Sequence, residues 1–103
     1  MAMETYTFRI EEAENGEGIT ADVYDYDGMI QQSTWIDYEE YGLASDREGS
    51  SPEPRKQELN VDTLTMNLQV ERDGEAFSIH VLGDDETLAT ERITDEEWGL
   101  IAK

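Results

Sequence analysis

Tyr6, Phe8 and Ile10 alternate with Thr5, Thr7, Arg9 and Glu11, the period of a strand with one buried face. Asn15-Gly16 and Gly18 then mark a turn. Ile19, Ala21 and Val23 repeat the alternation over residues 19–26, and Asp27-Gly28 has the composition of a tight hairpin turn. A third strand is expected over 29–36, with Ile30 and Ile36 on one side and Trp35 on the other. Asp37 suits an N-cap, Glu40 follows three residues on, Ile36 can staple to Tyr41, and Gly42 suits a helix stop. One or two helical turns are expected there.

The same order recurs after residue 60. Leu64, Met66, Leu68 and Val70 alternate with polar residues, Asp73-Gly74 turns the chain, and Phe77, Ile79 and Val81 form the next inner face. Gly83-Asp84-Asp85 marks another turn, with a shorter strand expected over 86–92. Thr94 and Glu97 read as a capping box, and Ile93 and Trp98 as a hydrophobic staple. A helix closes the chain in this reading, with Trp98 and Ile101 docked on the sheet, since so short a helix does not hold alone. Residues 44–60 contain both prolines and no aromatic residue, which predicts a linker or long exposed loop.

Residues 36–43 read Ile-Asp-Tyr-Glu-Glu-Tyr-Gly-Leu and residues 93–100 read Ile-Thr-Asp-Glu-Glu-Trp-Gly-Leu. The expected fold class is therefore α+β, mainly antiparallel β, in one domain of 103 residues. It holds two β-β-β-α units, 5–43 and 61–103, as an internal pseudo-repeat around the 44–60 linker. Coincidence is the competing account, because capping residues recur wherever helices begin. In element order alone the layout resembles the small YegP-like proteins; their sequence motif does not occur here.

Charge changes the picture most. The chain carries 26 Asp and Glu against 7 Lys and Arg, a net charge of -19. Such a balance excludes nucleic-acid or anionic-membrane binding through a basic patch. Lysine occurs only at Lys56 and Lys103, and the composition resembles that of haloarchaeal cytosolic proteins. At molar salt the Debye length falls to roughly 3 Å, so self-repulsion is screened. A second reading is mimicry of a nucleic-acid backbone. A disordered acidic tail is disfavoured by two Trp, five Tyr and the alternating stretches. The acids gather at turns and helix starts. In a β-β-β-α unit the first turn and the helix N-terminus share one end of the sheet. This predicts an acidic pole of Glu11, Glu12, Glu14 and Glu17 with Glu39 and Glu40, and of Glu71, Asp73 and Glu75 with Glu96 and Glu97. The bland account is that turns and helix starts favour acids anyway.

Chemistry is sparse. The chain has no cysteine, hence no disulfide, thiolate site or thiol nucleophile. His80, the only histidine, falls between inward Ile79 and Val81 and should point outward beside Ser78, a poor metal ligand and no triad. Asp25-Tyr26-Asp27-Gly28 departs from a calcium loop in register, and Gly83-Asp84-Asp85-Glu86 reads as a solvated turn. No phosphate loop or dinucleotide motif occurs. No cofactor, metal or catalytic residue is expected. Tyr24, Tyr26 and Trp35 lie opposite Val23 and Ile36; either they form an exposed aromatic interaction surface, or helices cover them as core.

These features point to a non-enzymatic interaction or structural subunit from a halophile or its virus, cytoplasmic or virion-associated. Its expected partner is another protein, basic in the mimic reading, or a second copy as a homodimer. No apolar run reaches bilayer-spanning length, and no signal-peptide pattern is seen. The alternative is a nucleic-acid-mimicking inhibitor of the anti-CRISPR, anti-restriction or toxin-immunity type. If the acidity is salt adaptation, far-ultraviolet circular dichroism should show strand structure gained between dilute buffer and molar KCl. A fully folded signal in dilute buffer would contradict that origin.

Overall fold

A computed structural model describes residues 3–13, 16–45 and 53–102. The first alternating stretches form β1 (Glu4–Glu12), β2 (Gly18–Tyr24) and β3 (Ile30–Asp37). A 3-10 turn over Tyr38–Tyr41 follows, then the short β4 (Leu43–Ser45) and β5 (Arg55–Val61). The second half gives β6 (Met66–Asp73), β7 (Ala76–Gly83) and β8 (Glu86–Thr94). One turn of helix, α1 (Asp95–Trp98), and β9 (Leu100–Ala102) end the described chain.

All pairing is antiparallel. One sheet has the order β3-β2-β1-β5, a second the order β6-β7-β8, and β4 pairs with β9 as a two-stranded ribbon. Alternation puts Phe8, Ile10, Ile19, Ala21 and Val23 on the inner face of the first sheet and Phe77, Ile79, Val81 and Ile93 on that of the second. All are fully buried in one shared core. β3 runs beside β6 and β5 beside β8, so the two sheets lie face to face with adjoining edges, like a flattened barrel.

The fold is mainly antiparallel β, and the expected α+β arrangement is corrected at the helices. Each is only four residues long. Their starts obey the sequence: Asp37 accepts a hydrogen bond from Glu39 N–H at 3.0 Å, and Thr94 Oγ1 accepts one from Glu97 N–H at 3.2 Å. Their ends are set by Gly42 and Gly99, both left-handed with φ of 68° and 62°, a conformation that costs glycine nothing. The expected closing helix therefore stops at Trp98, and the chain leaves it as β9. Trp98 is buried, whereas Ile101 is exposed rather than docked.

Three more expectations change. The segment read as a linker holds β4 and β5; within it, residues 46–52 lie outside the described residues. β5 escaped notice because only Leu59 is a buried apolar residue along Arg55–Val61, a charged edge strand of the kind that discourages aggregation. Ile30 does not share the face of Ile36. A β-bulge pairs Val23 with Gln32 but Tyr24 with Ile30, so Gln31 is extra and Ile30 turns to the outer face. Leu64 precedes β6 and is exposed instead of continuing its inner face.

The second half is tied together at one point. Arg72 donates to both Asp95 carboxylate oxygens at 2.7 Å, and its guanidinium lies 4.5 Å from the Phe77 ring centre. The same ring takes Tyr41 edge-on at 5.0 Å. Phe77 thus bridges β6, β7 and the 3-10 turn. Phe77→Ala should cost about 3–5 kcal/mol and Ile79→Val about 1 kcal/mol, read from urea unfolding at molar KCl. Equal, small losses at both positions would contradict the shared core.

Candidate functional site

Trp35 stands on the outer face of β3 opposite Thr20 and is 48% exposed. Its ring lies over Gly18 at the start of β2: a Cβ there would come within 2.5 Å of the Trp35 ring and 2.4 Å of the Ile36 carbonyl oxygen. Glycine in a strand costs stability, yet here the Ile36 carbonyl and the Trp35 ring together leave no room for a side chain. A cleft of about 230 Å³ beside it is lined by Glu17, Asp37, Tyr38 and Glu39.

Tyr24 shares that outer face, opposite Ile30 and Thr7, and is half-buried. Burial and the neighbouring Asp22 carboxylate raise its pKa. Tyr26 lies beyond β2 in the hairpin turn and is 86% exposed. Neither helical turn covers these rings, because both sit at strand ends. The rings do not form one cluster. Thr20, beneath Trp35, is four residues from Tyr24, roughly 13 Å along the strand, and Asp22, bonded to Ser33 Oγ, occupies the gap. Ile30 joins Tyr24, an apolar neighbour hidden from the sequence by the bulge.

In each half a backbone contact links the first hairpin turn to the helical start. The Glu17 carbonyl accepts Tyr38 N–H at 3.1 Å, and the Glu75 carbonyl accepts Asp95 N–H at 2.8 Å. Each half thereby joins its first hairpin turn to its helical turn. The two halves meet at that end, where Tyr41 and Leu43 share a cleft with Gly74, Glu75, Asp95 and Glu96.

The group is electrostatically divided. Glu11 pairs with Arg9 at 2.9 Å, Asp73 with Arg92 at 3.2 Å, and Glu97 with Arg55, while Glu71 lies 3.5 Å from His80 Nε2. Glu12 is buried and accepts the Tyr38 hydroxyl at 2.8 Å. Glu17 is exposed. Glu39, Glu40, Glu75 and Glu96 are exposed and make no ion pair among the described residues. Glu14 lies outside the described residues. Arg9 neutralises its near neighbour Glu11, whereas Glu97 and Asp73 are met by Arg55 and Arg92 from far along the chain, which no local pattern announces.

The remaining candidates are occupied structurally. His80 points outward, with Nδ1 2.8 Å from Thr90 Oγ1. The Asp84 carboxylate accepts Leu64 N–H and Thr65 N–H, which lower its pKa and clamp the chain before β6 to the β7–β8 turn. Asp25 Oδ1 accepts Asp27 N–H and Met29 N–H, both at 2.9 Å. Among the described residues no three His, Asp or Glu group as around a metal ion, and no helix is long and apolar enough to cross a membrane. Compared with protein-family models, curated proteins and solved structures, the chain matches none.

Two tyrosines give a pH handle. The hydroxyl of Tyr6 donates to Glu4, and this bond, with burial, pushes its pKa up to about 12; burial also raises that of Tyr38. An unfolded tyrosine ionises near ~10. Between these values the unfolded chain has released protons that the folded chain keeps, so stability falls as pH rises. Unfolding free energy should be insensitive to these groups below pH about 10 and decline towards pH about 12, with the last tyrosine ionisation seen by ultraviolet absorbance coinciding with unfolding. Ionisation of all five tyrosines near pH ~10 in the folded chain would contradict these contacts.

Proposed function

We propose that the chain is a non-enzymatic interaction module of a high-salt cytoplasm or virion, docking on another protein through the open face around Trp35. The observation that carries this is the seating of Trp35 over Gly18. A half-exposed tryptophan packed on a glycine presents a large, pre-placed ring to solvent. Tryptophan is also the residue most enriched where interfaces concentrate their binding energy. Glu17, Asp37 and Glu39 beside the ring favour a partner surface carrying Arg or Lys, which also pair with the tryptophan face.

The matched glycine caps and the matched carbonyl contacts of Glu17 and Glu75 support an internal duplication. Its unit is three strands, one helical turn and a short strand.

A second reading, mimicry of a nucleic-acid backbone, draws support from Glu39, Glu40, Glu75 and Glu96, carboxylates at the helical end that make no ion pair among the described residues. The two readings separate experimentally. A partner captured at high salt and identified by mass spectrometry is purified and titrated against wild type, Trp35→Ala and a variant with these four glutamates changed to glutamine. The Trp35 reading expects a loss of about 2 kcal/mol or more in Trp35→Ala, with the circular dichroism spectrum unchanged and modest salt dependence. Unaltered affinity in Trp35→Ala would overturn it. Loss confined to the glutamine variant, with affinity falling steeply as salt rises, would favour mimicry.

A further inference from the structure

Five of the eight large apolar residues left exposed among the described residues, Met3, Tyr26, Met29, Ile30 and Leu64, cluster at the end of the molecule opposite the helical turns. Two adjoining clefts mark that end. One, of about 490 Å³, is bordered by Met3, Tyr6, Tyr26 and three carboxylates, Glu4, Asp25 and Asp27. The other, of about 220 Å³, shares Tyr6 and Gln31 with it and reaches Leu64 and Met66. No Lys or Arg borders either cleft. Two of these carboxylates are fixed before any ligand arrives: Asp25 Oδ2 accepts Gln31 Nε2–H at 2.8 Å, Asp25 Oδ1 accepts two backbone N–H groups, and Glu4 accepts the Tyr6 hydroxyl.

We infer that this end is a second docking surface, and that its occupant is a basic amphipathic segment of another protein. Apolar side chains of the segment would lie on Met3, Tyr26 and Leu64, and an Arg or Lys would enter the carboxylate-lined cleft beside Tyr26. Charge complementarity selects this occupant. A second copy of a chain carrying -19 would bring more carboxylates to a surface that has no cation to meet them. Flexible methionines adapt to varied apolar partners, and a guanidinium or ammonium over a tyrosine face beside fixed carboxylates gains from both. The surface is separate from that of Trp35 and stands without it.

The test uses the full chain at molar KCl, where long-range attraction is screened. Amide shifts in ¹⁵N-labelled protein are followed on adding a synthetic peptide with a leucine face and an arginine face. A peptide of equal charge with serine in place of leucine is the control. The inference expects shifts confined to residues 3–6, 25–31 and 64, and affinity reduced about tenfold or more, or 1.4 kcal/mol, in both Tyr26→Ala and Glu4→Gln. The Trp35→Ala variant should bind normally, which separates this surface from the one proposed above. Any of three results would overturn it: no binding, equal binding of the serine peptide, or shifts spread over the whole acidic surface with Tyr26→Ala unaffected.

Discussion

The fold depends on burying two inner sheet faces against each other. Phe8, Ile10, Ile19 and Val23 from the first sheet share one dry interior with Phe77, Ile79, Val81 and Ile93 from the second. A three-stranded meander alone leaves its apolar face wet, and that face must be buried against another element. The inner face of the meander β6-β7-β8 is covered by the other sheet. Everything else attaches to this contact: the ribbon β4-β9 joins the ends of the two halves, and the Arg72–Asp95 pair seats α1 against Phe77.

Against that core works a charge that repels itself at low ionic strength. The chain places its few cations where they count. Arg55 lies between Glu91 and Glu97, Arg72 grips Asp95, and Arg92 meets Asp73. Exposed pairs such as Arg92–Asp73 stabilise little individually; together the pairs divide the acidic end into neutralised and open carboxylates. Open carboxylates mark the helical end, and exposed apolar side chains together with Glu4, Asp25 and Asp27 mark the other.

Much of this was legible from side-chain alternation, because a buried face imposes its period on the residues that build it. Ile19, Ala21 and Val23 announced β2, and Phe77, Ile79 and Val81 announced β7. The shared end of turns and helix starts also followed, since connectivity alone fixes it. What escaped depends on pairing. Ile30 reads as inward until the bulge at Gln31 is known, and a bulge is a property of two strands. β5 carries one buried apolar residue because it lies at an edge. Gly99 offered the same stop signal as Gly42, but the capping box and staple before it suggested a longer helix. The separation of Trp35 from Tyr24 depends on strand register, and the partners of Glu97 and Asp73 come from far along the chain.

The central claim is that both halves share one interior. Methyl nuclear Overhauser effects measured on the folded chain at high salt test it most directly. Cross-peaks linking Ile10, Ile19 or Val23 with Ile79, Val81 or Ile93 are the outcome this architecture requires. Cross-peaks confined within each half, with none between them, would contradict it.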